Sequence, residues 1–511
     1  MNKVSRVVHG VFAFVFFMTI VSVVLRGFVK YNTFAIIFAL LGGILLTIFV
    51  VWLYGFLDRK LEKSPEGKVD RIFFAIAVVV LILQIIFAIM LKSELINDLM
   101  YVDNAARDFS KSWDKNDLYL HLPERHQGYF ARYPNNHAIL IILSVIYFIT
   151  DRLFGVTPTW APIILNIFGL FLSYILMYLI SKKLFNNKAV SLLTAILGAG
   201  FCVFYTYTPY YYTDAFSMPF VMGSVYLFLC GFESENKKLI ITHLFFSMLL
   251  MVIGYKIKGS VIILLPAFLI YIIFFTKKYN LKKHLKQIGV ILLSFIVSIV
   301  LCGGIINAFH ITDDSETNDM KFPLVHWIMM GLHDRGGYYD EDFWYTELSG
   351  DYDDKKDADI DRIKERLEDY GMDGMFVHLA KKISYTWDDG SYFISRYIKN
   401  GDDNFLRNFV VKSSAFKLYV RTYHFFILIM ILLSFIIGML SKQSGKDILL
   451  RVIICGVFLF FVLWEARSRY LVNFSPLFVI VAASAASRLY FAKRNGKQIE
   501  KSIICESNQE K

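Results

Sequence analysis

A chain of 511 residues that is 56% hydrophobic, with a mean hydropathy of +0.50 and 48 Phe, carries more apolar surface than a water-soluble fold can bury, which excludes the soluble classes. The net charge of +11 comes from short Lys and Arg clusters between apolar runs, the pattern of positive-inside topology rather than of a phosphate-binding face. The expected partner is therefore a lipid bilayer and not nucleic acid.

In chain order, the first apolar run, 7–29, is too long for a signal-peptide core and reads as a retained helix. Further runs follow at 34–57, 72–91, 159–180, 189–208, 215–232, 240–255, 259–275, 288–308, 418–440, 449–464 and 471–488. Each is near the roughly 20 residues that a bilayer requires, giving about twelve spans. The basic connections at 59–71, 182–188, 237–238, 277–286 and 442–446, with the tail from Arg488, fall on one side if the N-terminus is cytoplasmic. Both termini are then cytoplasmic and the remaining connections lie outside. The run 137–150 covers only about 21 Å of helix and is placed in the outer interface as a juxtamembrane helix, which keeps the span count even.

The resulting division is 1–91, N-terminal transmembrane helices; 92–158, a first outer loop with juxtamembrane helices; 159–308, central transmembrane helices; 309–417, a mixed extracellular loop domain; 418–488, C-terminal transmembrane helices; and 489–511, a cytoplasmic tail. The fold class is an all-α polytopic membrane protein. Segment 309–417 contains a Gly-Gly-Tyr-Tyr turn at 336–339 and a charged helical stretch over about 355–370, and it is long enough to be a small domain or a lid. Of five cysteines, four lie in apolar runs and one in the tail, with no disulfide framework or zinc spacing.

Three polar constellations fall on the outer side. The first is Asp98 with Tyr101, on a helix whose apolar stripe is Leu99, Val102, Ala106 and Phe109, followed by Arg132, Tyr133 and His137. The second is Tyr210, Tyr211 and Tyr212 leading to Asp214 at the start of a span. The third is cationic: Lys256 and Lys258 at one helix start, and Arg467 and Arg469 within Trp464-Glu465-Ala466-Arg467-Ser468-Arg469-Tyr470. Carboxylates and cations converging on one leaflet suit a substrate with a hydroxyl to be deprotonated and a phosphate to be held.

These motifs in this order resemble the GT-C membrane glycosyltransferases, the superfamily of protein O-mannosyltransferases and aminoarabinose transferases. Asp98-Leu99-Met100-Tyr101 with Ala106-Arg107 is similar to the family's first-loop Asp-Glu-x-Tyr...Ala-Arg, and Tyr133-Pro134 to its Tyr-Pro-Pro segment. Leu179-Ile180-Ser181-Lys182-Lys183-Leu184-Phe185 resembles its cytoplasmic Leu-Ala-Arg-Arg-Leu-Phe turn. Tyr212-Thr213-Asp214 falls where the family has a second outer-loop acid, and Lys258-Gly259-Ser260 at its Lys-x-Thr helix start. Glu465 to Tyr470 resembles its late Glu-x-Arg-x-Arg-Tyr motif. Leu99 replaces the family's usual second acid, which departs from a metal site built on an adjacent acidic pair. The stretch from Pro323 to Gly331, with Gly336 to Asp340, is similar to a group of Gram-positive bacterial members.

The resemblance implies sugar transfer, with inversion, from a polyprenyl-phosphate donor to a cell-envelope acceptor at the outer face. That acceptor would be a glycan, a teichoic-acid-like polymer or a protein. Asp98 would be the base. Arg467, Arg469 and Lys258 would hold the leaving phosphate, and Asp214 would orient the acceptor or share a divalent ion with Asp98; the cofactor is otherwise open.

Each residue also has a plainer reading. Asp98 and Asp214 suit helix N-caps. Asp103 lies off the apolar stripe as a solvated residue, and it is the second choice of base. Lys256 and Lys258 suit snorkelling cations, and Glu465 with Arg469 suits an internal ion pair. Two rival functions stay open: a transporter or flippase of a lipid-linked or anionic precursor, which calls for ionisable or discontinuous-helix features near mid-membrane, and a non-catalytic assembly protein binding through 309–417.

Overall fold

The structure, a computed structural model, describes residues 3–65, 67–113, 122–276, 281–312, 319–440 and 447–509. The basic connection at 442–446 and the 277–280 end of the one before it lie outside the described residues. Within them every regular element is a helix and no strand forms. Ten helices are long and apolar enough to cross a bilayer, and three shorter apolar ones, Lys188–Ala199, Gly259–Phe275 and Ile448–Leu463, join them.

The order begins α1 (Lys3–Lys30), α2 (Thr33–Leu61), α3 (Lys68–Leu91), α4 (Asn97–Ser112), α5 (Glu124–Arg132), α6 (His137–Phe154), α7 (Trp160–Phe185) and α8 (Lys188–Ala199). Two single turns, α9 (Val203–Thr206) and α10 (Thr213–Phe216), precede α11 (Met218–Glu233), α12 (Lys237–Ile257), α13 (Leu264–Phe275) and α14 (Leu281–Asn307). The segment that follows carries α15 (Leu324–Gly331), α16 (Asp340–Glu347), α17 (Tyr352–Trp387) and α18 (Phe405–Lys412), and the chain closes with α19 (Ser414–Leu440), α20 (Ile448–Leu463) and α21 (Ser475–Gln509). Asparagines start several spans: Asn32, Asn187 and Asn236 each accept a backbone N–H of the first turn, which satisfies donors a helix leaves orphaned.

Helix pairing decides which helices cross. The start of α3 meets the end of α7, where Tyr178 Oη and Lys182 Nζ donate to Asp70 at 2.6 and 2.7 Å. At their other ends Lys92 Nζ lies 4.7 Å above the Trp160 ring. Residues 91 and 160 are therefore on one face, so the chain between them crosses an even number of times. Among its described residues only α6 is long and apolar enough, so α6 lies along that face beside α4. The crossing set is then the other nine long helices and the three short ones.

Segment 319–413 sits on this same face, called here the site face: Arg407 bonds the carbonyl of Lys92 at 2.6 Å, and Asp388 pairs with Arg26 and Lys30 at the end of α1. It is built of helices and turns. The charged stretch is part of the longer α17, which kinks at Gly371 (φ +51°). Helix α21 runs on to Gln509, through most of the segment expected as a tail. Cysteines replacing Thr33 and Asn400, both exposed, are expected to label with an impermeant thiol reagent from one side of the membrane, and one replacing Lys237 from the other. Thr33 labelling together with Lys237 instead would break this topology.

Lipid-facing and core surfaces separate by residue size. Phe14, Phe38, Phe74 and Leu293 project outward from α1, α2, α3 and α14. The hub is α21, whose residues 477–486 are buried; its run Ala482, Ala483, Ser484, Ala485, Ala486 is small enough for α2, α7, α8, α19 and α20 to approach closely.

The span expected at 189–208 breaks at Ala199. Twelve residues of helix reach about 18 Å, short of the roughly 30 Å of hydrocarbon. The rest of the way is buried irregular backbone, 201–212, which is tolerated at membrane depth only inside protein. A short 3₁₀ stretch at Ser468–Phe474 meets it through Arg469 and Tyr210, and another, Gly259–Ile263, follows Lys258, which pairs with Asp214 just past it. All three breaks converge on the site.

Candidate active site

Helix α4 buries Leu99, Val102, Ala105, Ala106 and Phe109, so its stripe docks as the spacing implies. Asp98 is not the cap. Ile96 holds that position without a side-chain bond, and Asn97 begins the helix at φ +53°, a left-handed value that Asn tolerates. Partly exposed Asp98 instead accepts a hydrogen bond from Tyr129 Oη at 3.2 Å. Asn136 Nδ2 donates to the same phenol at 2.9 Å, and Asn136 Oδ1 accepts from Tyr212 Oη at 3.2 Å. This chain of polar groups runs from Asp98 inward to the 201–212 backbone. Tyr101, half-exposed, stacks on Tyr129 with ring centroids 5.3 Å apart.

Asp103 is corrected from a solvated residue to a buried anchor at 2% exposure. Arg107 Nε donates to it at 2.8 Å and Tyr211 Oη at 2.7 Å, with Tyr147 Oη as a third donor. The sequence stripe missed this because α4 is covered on two flanks, by α6 and by the 201–212 segment. Both of its carboxylate oxygens are engaged by these three donors, which is the arrangement of an anchor.

Asp214 is also not a cap: Tyr212 precedes its turn without a side-chain bond. Its carboxylate, 1% exposed as a residue, pairs with Lys258 Nζ at 2.7 Å and Arg469 Nε at 3.6 Å. Arg469 is further held by Tyr210 Oη at 3.3 Å and by Tyr397 Oη, and its guanidinium lies 5.8 Å from the Tyr212 ring. Lys258 Nζ sits 4.0 Å above the Tyr470 ring, whose hydroxyl donates to Glu465 at 3.0 Å. Glu465 is thus bonded by Tyr470 and not paired with Arg469, as the plainer reading had it. Lys258, likewise, is an ion-pair partner and no snorkelling cation.

This cluster does not fit a divalent ion shared by Asp98 and Asp214. The Lys258 ammonium already occupies the Asp214 carboxylate, and Leu99 beside Asp98 turns into the core. Among the described residues no group of three or more His, Cys, Asp or Glu has metal-binding geometry.

Arg467 differs from its neighbours. Its guanidinium lies 5.0 Å over the Phe393 ring, no carboxylate among the described residues forms a salt bridge with it, and its Nε is buried without a hydrogen bond. The remaining sequence candidates divide. Arg132 is tied to Glu347 on α16 through Nε at 2.7 Å, and Tyr133 packs against Phe322 and Trp327. His137 is bonded through Nε2 to the Phe130 carbonyl at 2.9 Å, and Lys256 lies 6.0 Å from the Tyr255 ring.

The site-face segment closes over this group through its backbone. Glu465 N donates to Trp327 O at 2.9 Å, and Ala466 N to Gly336 O at 2.7 Å. Fully buried Lys382 braces the turn between them, bonding Gly331 O at 2.6 Å, and burial pushes its pKa down to about 7. Gly336 is required there: its φ is +73°, and a Cβ would meet Lys382 at 2.7 Å.

Sequence reasoning missed Tyr129, Tyr397 and the 388–397 segment under the cations. Tyr129 lies one helical turn before Tyr133, a spacing that placed both rings on one face. For 388–397 the one signal is a turn-forming Asp-Asp-Gly-Ser run.

Two crystal structures of the Archaeoglobus fulgidus oligosaccharyltransferase are similar to this chain, each at 12% identity. One is tethered by a disulfide bond to an acceptor peptide containing the NVT sequon, with a TM-score of 0.44 over 80% of this chain and 49% of that one. The other is a complex with zinc and sulfate, with a TM-score of 0.45 over 84% and 51%. The chain thus spans about half the length of these solved proteins. No curated protein matches it. The match that covers nearly the whole chain is to a family model over residues 1–489, and the chain belongs to that family, the conserved hypothetical integral membrane proteins.

Proposed function

We propose that this protein is a membrane glycosyltransferase of the GT-C type, moving a sugar from a polyprenyl-phosphate donor to a cell-envelope acceptor at the site face. The observation that carries the reading is the contrast among the three aspartates. Asp103 and Asp214 are consumed by cations or multiple donors, whereas Asp98 is partly exposed and bears a single phenolic hydrogen bond. Such a carboxylate is free to take the proton of an acceptor hydroxyl as its oxygen attacks the anomeric carbon from the face opposite the phosphate. The bond from that carbon to the phosphate oxygen breaks, the configuration inverts, and negative charge grows on the leaving phosphate.

Arg467, unpaired, is the cation suited to receive that charge. Lys258 and Arg469 together exceed Asp214 by one positive charge, and they act as a fixed field more than as direct ligands. The site face is the outer one in this reading, since Lys182, Lys183, Lys237 and Lys238 all collect at the opposite face.

The test is transfer from a panel of polyprenyl-phosphate sugars by purified protein in lipid. Transfer to an envelope glycan, teichoic-acid-like polymer or protein supports the proposal; none across the panel removes it. Arg467→Ala is expected to raise KM for the donor about tenfold, as for a lost charge-assisted hydrogen bond, with acceptor KM little changed. Equal changes in both would take the phosphate role from Arg467.

The convergent helix breaks favour a second reading, a transporter of a lipid-linked precursor, because discontinuous helices build transport sites. Depth argues against it. Helix α12 has 21 residues, about 31 Å, so Lys258 lies a full hydrocarbon thickness from Lys237 and not at the midplane. Leaflet exchange of a labelled polyprenyl-phosphate sugar by protein that transfers nothing would decide for transport.

A further inference from the structure

Helix α18 lies at the site face between the ends of two spans, packed on the end of α3 and the start of α19. Its inward side is fixed by buried Arg407. Nη2 of that guanidinium donates to the carbonyls of Lys92 at 2.6 Å and Met90 at 3.2 Å, and Nη1 donates to Ile398 O and Ser93 Oγ, each at 2.6 Å. Asn404, which caps α18, adds a bond from Nδ2 to Met90 O at 2.7 Å. The carbonyls at the end of α3 would otherwise lack helical partners, so they hold α18 in one orientation. That orientation turns Phe405 and Phe409, one turn apart and opposite Arg407 and Val410, away from the protein; they are 80% and 37% exposed.

Depth decides which medium these rings meet. Tyr419 on α19, itself exposed, donates to the Gly200 carbonyl, where α8 has stopped. Starting from Lys188 at the opposite face, α8 covers about 18 Å of the roughly 30 Å of hydrocarbon, so that contact lies about 12 Å below the edge at the site face. Rings lead up from it: Tyr419 to Phe416 at 6.2 Å, Phe416 to Phe409 at 5.6 Å and Phe409 to Phe405 at 6.3 Å. The first two steps together are no longer than that depth. Phe409 therefore reaches no higher than about the hydrocarbon edge, with Phe405 one ring beyond it. The surface on either side faces lipid, since Ile85 and Ile89 project from the site end of α3 and Leu418 from α19. Exposed Lys412, at the end of α18, is placed to reach the headgroups.

We propose that α18 is an interfacial helix, which seats this part of the site-face segment in the bilayer by inserting Phe405 and Phe409 among the lipid headgroups and upper acyl chains. The occupant of its apolar face is lipid, because that face continues the lipid-facing surfaces of α3 and α19. The proposal does not depend on sugar transfer. It adjoins the candidate active site through Arg407: Ile398, whose carbonyl that side chain holds, follows Tyr397, the phenol bonded to Arg469. The backbone joins the same seat to the linker before α4, where Glu94 N donates to Asn400 O at 2.8 Å.

The experiment is electron paramagnetic resonance on the purified full-length protein in phosphatidylcholine nanodiscs, with a nitroxide on Phe405→Cys or Phe409→Cys. The signal of the parent chain, treated alike, is subtracted to remove its own five cysteines. Leu293→Cys on α14 gives the lipid reference, and Asp361→Cys on the charged stretch of α17 gives the aqueous one. At both test positions, collisions with oxygen, which concentrates in acyl chains, are expected to exceed those with a water-soluble nickel chelate several-fold relative to Asp361→Cys, approaching the ratio at Leu293→Cys. Should Phe409→Cys not fold, Phe405→Cys, at the more exposed position, carries the test alone. A ratio like that of Asp361→Cys would overturn the proposal by placing the face in water. A position shielded from both reagents would also overturn it, because a second copy of the chain would then cover the face.

Discussion

Asp98→Asn is expected to lower sugar transfer by about 10²- to 10⁴-fold, the range a positioned general base supplies, while leaving the unfolding midpoint in detergent nearly unchanged. Asn keeps the acceptor for Tyr129 Oη but cannot take a proton. Because Asp98 does not cap α4 and is partly exposed, its neutralisation removes no structural bond. Asp103→Asn should do the reverse. It leaves Arg107 short of its carboxylate and is expected to cost about 1–3 kcal/mol of stability, with turnover of the folded fraction retained. Measured side by side, transfer rate and thermal unfolding separate base from anchor. Transfer undiminished in Asp98→Asn would dismiss the assigned base, and transfer lost in folded Asp103→Asn would move that role one turn along the helix.

Asp214→Ala is expected to cost about 3–5 kcal/mol, because it strands Lys258 and Arg469 as two buried cations facing each other. Against a total stability of roughly 5–15 kcal/mol, that is a large share, and recovery of folded protein should fall accordingly. The double variant Asp214→Ala with Lys258→Met removes one of the stranded charges and should regain part of the loss. A double-mutant cycle read by unfolding in detergent measures the coupling. If Asp214→Ala instead unfolds like the parent and loses only a metal-dependent activity, the carboxylate serves an ion and the electrostatic role given to it here is wrong.

Segment 319–413 shows how a local pattern and a tertiary fact divide. Its turn at Gly336 and its charged helix are readable from Gly-Gly-Tyr-Tyr and the run that follows. Its closure over Glu465 and Ala466 is not, because backbone hydrogen bonds to Trp327 and Gly336 leave no trace in side-chain composition. Lys382 is similar: a lysine in a mixed stretch reads as solvated until the turn above it is seen to bury it.

The sequence by itself determined the membrane class, the twelve crossings and the docking of α4, because hydrocarbon thickness and helical period act on contiguous residues and leave a local signature. It also brought Asp98, Asp214, Lys258 and the two late arginines into view as candidates, through motifs that keep their order along the chain. Only the tertiary structure decided which of them are free. Asp103 is buried because two elements flank α4, Asp214 is neutralised by cations from helix breaks far along the chain, and Arg467 is left without the partner that Arg469 has. Those outcomes depend on which side chains meet across the bundle, and pairing at a distance is set by packing, which no local pattern encodes.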